Sequence, residues 1–138
     1  MTMETKIIED LIDKAVNTIV NSVDEEGYPI SRAMLSVRKR VDLKEFYFST
    51  NTPTNKVQQF RANSKASIYF FDSSRYIGCL LKGNMQVLDD MESRKIVWRI
   101  GDEAYYPGGI EDPGMVVLKF TAESMRVYSN FQTQDMQP

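Results

Sequence analysis

FYFSTNTPTNKVQQFRANSKASIYFFD, from Phe46 to Asp72, contains two runs of aromatic and β-branched residues separated by hydroxyl, proline and helix-forming residues. The first run, Glu45 to Thr50, ends in the hydroxyls Ser49 and Thr50 and reads as a strand, and Ala66 to Asp72 reads as another. Between them Pro53 sets a turn. Thr54 stands where a helix N-cap accepts from otherwise unpaired backbone N–H groups, so Thr54 to Ala62 reads as a short helix. A helix amino terminus attracts anions, and Lys56 puts a cation in a first turn where the macrodipole favours acidic side chains. A bound anion would offset that repulsion, and a capped helix with a solvent-facing lysine is the alternative.

Upstream, PISRAML from Pro29 to Leu35 alternates, placing Ile30, Arg32 and Met34 on one strand face and Ser31, Ala33 and Leu35 on the other. An arginine sharing a face with Ile and Met needs a partner, which either a phosphate or a carboxylate would supply. Residues Thr5 to Asn21 place Ile8, Leu11, Ile12, Ala15, Val16 and Ile19 at helical spacing, predicting an amphipathic helix. Turn chemistry in DEEGYP, from Asp24, then leads into strands over Ile30–Val37, Glu45–Thr50, Ala66–Asp72, Ile77–Leu88 and Met115–Val127, with a second short helix over Asp90–Ile100. Strands joined mainly by turns, with few short helices, predict a mainly β fold, an antiparallel barrel or sandwich. At 138 residues the chain suits one domain, 1–138, with residues 130–138 as a loose tail.

Composition narrows the chemistry. There is no histidine and one cysteine, Cys79, which excludes histidine-dependent triads, a histidine-ligated haem, an internal disulfide and the common zinc sites, so no metal is expected. A net charge of −2 offers no general attraction to nucleic acid. The basic cluster Arg38, Lys39, Arg40 lies between two predicted strands and reads as a solvated hairpin turn, with a binding patch as the alternative. No apolar run approaches the roughly 20 residues that span a bilayer. The acidic amino-terminal stretch is unlike a secretory signal, so a cytoplasmic location is expected.

Arg32 on an early strand, the strand ending in Ser49-Thr50, the Thr-x-Lys helix start and the following RANSKASIYFFD together resemble the pyridoxamine 5′-phosphate oxidase-like FMN-binding split barrels. The closer likeness is to their general stress protein branch. LLKGNMQVLDD from Leu80, the helix containing Trp98, YYPGGIEDPG from Tyr105 and the final VVLKF follow in the same order, so the likeness runs from about Ile8 to Tyr128. It implies a six-stranded antiparallel split barrel that dimerises and holds FMN in clefts at the subunit interface. It also implies that Arg32 and Lys56, aided by Thr54, contact the FMN phosphate. Main-chain groups of Ala33, Met34 and Leu35 would lie along the isoalloxazine edge, with Ser49 and Thr50 beside the ribityl chain and ring. The implied activity is electron transfer from a reduced nicotinamide to a small acceptor.

The chain also departs from the oxidases proper. They carry a second basic residue where Asn55 stands and a glutamine where Gly78 aligns, and they end in a segment with a tryptophan and an arginine that NFQTQDMQP lacks. These departures argue against pyridoxamine 5′-phosphate oxidation itself. A non-catalytic flavin-binding stress-response protein, a cofactor-free interaction module and, more distantly, an OB-like nucleic-acid binder stay open. Trp98 reads as core or interface packing, and Tyr105 and Tyr106 precede a Pro-Gly-Gly turn from which either could project across a dimer interface toward the partner's cofactor. Cys79 reads as a small buried hydrophobe and Asp89-Asp90 as a helix start.

Overall fold

A computed structural model describes residues 3–138. Helix α1 (Met3–Lys14) is followed by strands β1 (Asn17–Val23), β2 (Pro29–Leu35), β3 (Lys39–Val41) and β4 (Glu45–Asn51). Next come helix α2 (Asn55–Ala62), β5 (Lys65–Asp72), β6 (Ile77–Leu88), helix α3 (Met91–Val97), β7 (Met115–Ser129) and β8 (Gln132–Met136). All pairings are antiparallel, in the order β2-β1-β5-β6-β7-β4-β3, with β8 on β7. The long β7 pairs with β6 along one edge. Its other edge is shared, β4 taking Met115–Thr121 and β8 taking Met125–Ser129. The register with β6 slips between Lys82 and Gly83, where an added Cβ would overlap the Thr121 carbonyl, so only glycine admits the bulge.

The barrel interior is filled by inward residues of these strands, with Phe46 between Phe70 and Phe120 at ring distances of 6.4 and 6.1 Å. Ile8, Leu11 and Ile12 of α1 close one end. A second, smaller cluster forms outside the barrel, where Val97 and Tyr106 pack on Tyr47, Met115 and Val117, with Trp98 half-buried against it. No helix among the described residues is long and apolar enough to cross a membrane.

The expected mainly β architecture holds, with eight strands where six were expected. Three of them escape the sequence patterns. The predicted helix over residues 5–21 ends at Lys14, because Asn17–Val23 is rich in β-branched residues and buries Thr18, Val20 and Ser22 in alternation. Val16 and Ile19, which continued the helical spacing, are exposed. The predicted loose tail 130–138 instead contains β8, a polar strand held by backbone pairing to β7 and by the Arg126–Asp135 ion pair at 2.7 Å. Asn130 and Phe131, both at positive φ, make its turn.

The third is β3, which takes up Lys39 and Arg40, so the basic cluster is not a hairpin turn. The Arg38 guanidinium packs in against Asp102 and Arg40 pairs at the surface with Glu9 and Asp13, so two of the three cations are spent on carboxylates of the fold. The second short helix stops at Val97, three residues before its predicted end, because Trp98 turns extended.

Candidate functional site

Three of the expected phosphate ligands converge beside α2. Thr54 caps the helix, its hydroxyl accepting from the Val57 N–H at 3.5 Å and donating to the Asn51 carbonyl at 3.3 Å. No acidic side chain occupies the first turn. Arg32, on the inward face of β2, donates through Nη1 to the carbonyl of its cross-strand neighbour Val20 at 3.2 Å. Its Nη2 donates to Oε1 of Gln59 on α2 at 3.3 Å.

Burial lowers the pKa of Lys56 from the usual lysine range, and the positive charge of Arg32 lowers it further. Burial likewise pulls Arg32 down. None of the ion pairs among the described residues includes Arg32 or Lys56. Two half-buried cations thus sit close together at a capped helix start with no carboxylate paired to them among the described residues. A dianionic phosphate is the complement such a set of donors fits.

The remaining expected residues are divided between faces. β2 is an edge strand, so one side of its backbone has no strand neighbour and is free to meet a ligand. Ala33 and Leu35 point outward and are exposed, whereas Met34 is buried and its carbonyl accepts from Asn17 Nδ2 at 3.2 Å. Ser49 and Thr50 lead along β4 into the loop before α2, on opposite faces of the strand. Ser49 lies beside the Tyr106 hydroxyl in the outer cluster, and Thr50 is buried.

Of the two tyrosines, Tyr105 is 61% exposed and available to a partner, while Tyr106 is buried and not. Burial raises the Tyr106 pKa, and its contact with Ser49 acts the other way. Cys79 is fully buried, which pushes its thiol up to about 12. Asp90 caps α3, as a helix start should.

Two groups the sequence left unread build this region. Gln59 joins Arg32 to the buried Ser22, whose hydroxyl also donates to Gln59 Oε1. Arg94 fastens the segment after α3, donating to the carbonyls of Asp89, Ile110, Asp112 and Met115 at 2.8 to 2.9 Å. That segment reaches the loop before α2 through Thr52, whose N–H donates to Gly114 O at 2.9 Å.

A groove of about 830 Å³ runs over the outer face of β1 and β5, lined by Val16, Ile19, Tyr69, Phe71 and Tyr76. It does not include Arg32 or Lys56, although Ile19 pairs with the exposed Ala33. The Tyr69 hydroxyl lies over Gly78, in the space a Cβ there would take. The ring takes the room that a longer side chain would occupy.

Fold and site together define an antiparallel split barrel with a cationic seat beside its second helix. A family model described as pyridoxamine 5′-phosphate oxidase matches residues 5–129. A solved Clostridium acetobutylicum structure, of a protein related to general stress protein 26 of B. subtilis in the pyridoxinephosphate oxidase family, is 34% identical. It superposes with a TM-score of 0.88 over 96% of this chain and 93% of that one. An FMN-binding, pyridoxamine 5′-phosphate oxidase-related protein from Nostoc punctiforme shares the fold at a TM-score of 0.75 and 14% identity, over 100% of this chain and 97% of that one. Among curated proteins, the pyridoxine/pyridoxamine 5′-phosphate oxidase of Shewanella sp. (strain W3-18-1) is 45% identical over 51 residues, which are 37% of this chain and 23% of the oxidase. The chain belongs to the pyridoxamine 5′-phosphate oxidase family.

Proposed function

We propose that the protein is a cytoplasmic, homodimeric flavoprotein that holds FMN at the subunit interface and passes electrons from a reduced nicotinamide to a small acceptor. The observation that carries this reading is the pair of half-buried cations, Arg32 and Lys56, beside the capped start of α2, with no ion-pair partner among the described residues. Family membership and the FMN-binding Nostoc neighbour support it.

In this reading Arg32 and Lys56 grip the phosphate as charged donors, and Thr54 holds the helix end that faces it. The unpaired edge of β2 at Ala33, Met34 and Leu35 meets the isoalloxazine. Ser49 and Thr50 shape the floor beside the ribityl chain, with Ser49 next to Tyr106. Bound FMN supplies the two-electron transfer, and the protein supplies orientation, charge and exclusion of water. The exposed apolar residues Val16, Ile19, Leu35, Phe71 and Tyr76 form the face that a second copy covers.

The test is to titrate the purified protein with FMN and then follow oxidation of a reduced nicotinamide in the presence of an added acceptor. Binding with FMN-dependent consumption is the expected result. Binding without consumption would leave a protein that only holds flavin, and no binding at all would overturn the reading.

A further inference from the structure

Arg32 owes its orientation to neutral groups. Of its five N–H donors, one meets Val20 O at 3.2 Å and one meets Gln59 Oε1 at 3.3 Å. Gln59 Oε1 also accepts from Ser22 Oγ, and Ser22 is 1% exposed on the barrel side of β1. The amide oxygen is therefore held from two sides, and it ties α2 to β1 and β2 at the point where Arg32 passes.

A glutamate at position 59 would have the same shape and would accept from the same donors more strongly, because charge-assisted hydrogen bonds are the stronger kind. It would also neutralise Arg32 and close the seat to an anion. An amide at that position keeps the guanidinium in place while leaving its charge and three of its donors unspent.

We infer that Gln59, braced by Ser22, is a positioning residue that holds Arg32 in place without neutralising it, and thereby sets selectivity for a phosphorylated flavin over an unphosphorylated one. The inference rests on the FMN reading above and adds to it the determinant of phosphate preference. Gln59 touches no flavin in this account; it acts through Arg32. The lowered pKa of Lys56, due first to burial and then to the Arg32 charge, agrees with this.

The test measures dissociation constants for FMN and for riboflavin by flavin fluorescence quenching, in the wild-type protein and in Gln59→Glu, with thermal unfolding of each flavin-free protein alongside. The wild type should prefer FMN. Gln59→Glu should fold at least as stably, because it gains an ion pair, yet its FMN-to-riboflavin preference should fall by about tenfold or more while riboflavin affinity holds. Ser22→Ala, which removes one brace but no charge, should lower the preference by a smaller factor, and it serves as the test if Gln59→Glu fails to fold.

A folded Gln59→Glu with the wild-type preference would overturn the inference and leave the FMN reading standing. If Gln59→Glu does not fold, an unchanged preference in Ser22→Ala does the same. A wild type that binds neither flavin, or binds both equally, would remove the FMN phosphate reading and the inference with it.

Discussion

Arg94 and Arg32 are both drawn well into the fold, and they are treated in opposite ways. Arg94 is 7% exposed and has four carbonyls around it, at Asp89, Ile110, Asp112 and Met115. Its neighbour in the outer layer, Arg38, is likewise spent, on Asp102 in a two-pronged bond at 3.1 and 3.2 Å. Arg32 has two neutral acceptors, and Lys56 beside it has no carboxylate among the described residues.

A cation that holds a fold together is saturated by the fold. A cation meant for a ligand is positioned and left short of partners, at a cost in the free protein that the ligand relieves.

The contrast is broken or kept most plainly by stability. Arg94→Met strands several carbonyls under the outer cluster and should cost about 3 kcal/mol or more, lowering Tm by roughly 10 °C. Arg32→Met removes an uncompensated charge and should change stability by no more than about 1 kcal/mol in either direction. Thermal unfolding of the flavin-free variants checks both. Equal losses would erase the distinction between the two arginines.

A second consequence is in pH dependence. Lys56 lies below the 10.5 of an ordinary lysine, chiefly through burial and secondarily through Arg32. In the free protein its charged form opposes folding. Its contribution to stability should therefore rise as pH climbs from its lowered folded value toward 10.5. FMN binding has the opposite sign, because a bound dianion draws the proton back. Affinity should be full while Lys56 is protonated in the free protein and should decline as pH climbs through its lowered value. Titrations across the alkaline range should show that decline in the wild type and lose it in Lys56→Ala.

The smallest expected effect concerns the link between the outer layer and β4. Tyr106→Phe deletes the hydroxyl beside Ser49 and should cost no more than about 1 kcal/mol, read as a shift in urea midpoint. FMN affinity should change by only a few-fold, since Tyr106 shapes the seat without touching the phosphate.

What could be read in the chain follows from how local each signal is. The strands around Phe48, Phe70 and Leu81 announce themselves through alternating or continuous apolar residues, and Thr54 caps its helix through residues three apart. β1 was hidden because Val16 and Ile19 happen to continue the spacing of α1. β8 was hidden because a polar edge strand is specified by its neighbour's backbone and not by its own side chains.

In the site, Arg32, Thr54 and Lys56 were legible as residue types in unusual places. Gln59 was not, since its meaning comes from Ser22, 37 residues away, and from Arg32, 27 residues away. Arg94 was hidden for the same reason, as three of its four acceptors lie 16 to 21 residues downstream.

The most direct test of the central claim is the FMN affinity of the Arg32→Ala, Lys56→Ala double variant set beside that of the wild type, followed by the visible flavin absorbance band and by quenching of flavin fluorescence. Two charge-assisted contacts to the phosphate predict a loss of about 100-fold or more in the variant, with its fold intact. A double variant that takes up FMN as tightly as the wild type would contradict the assignment of these two cations to the phosphate.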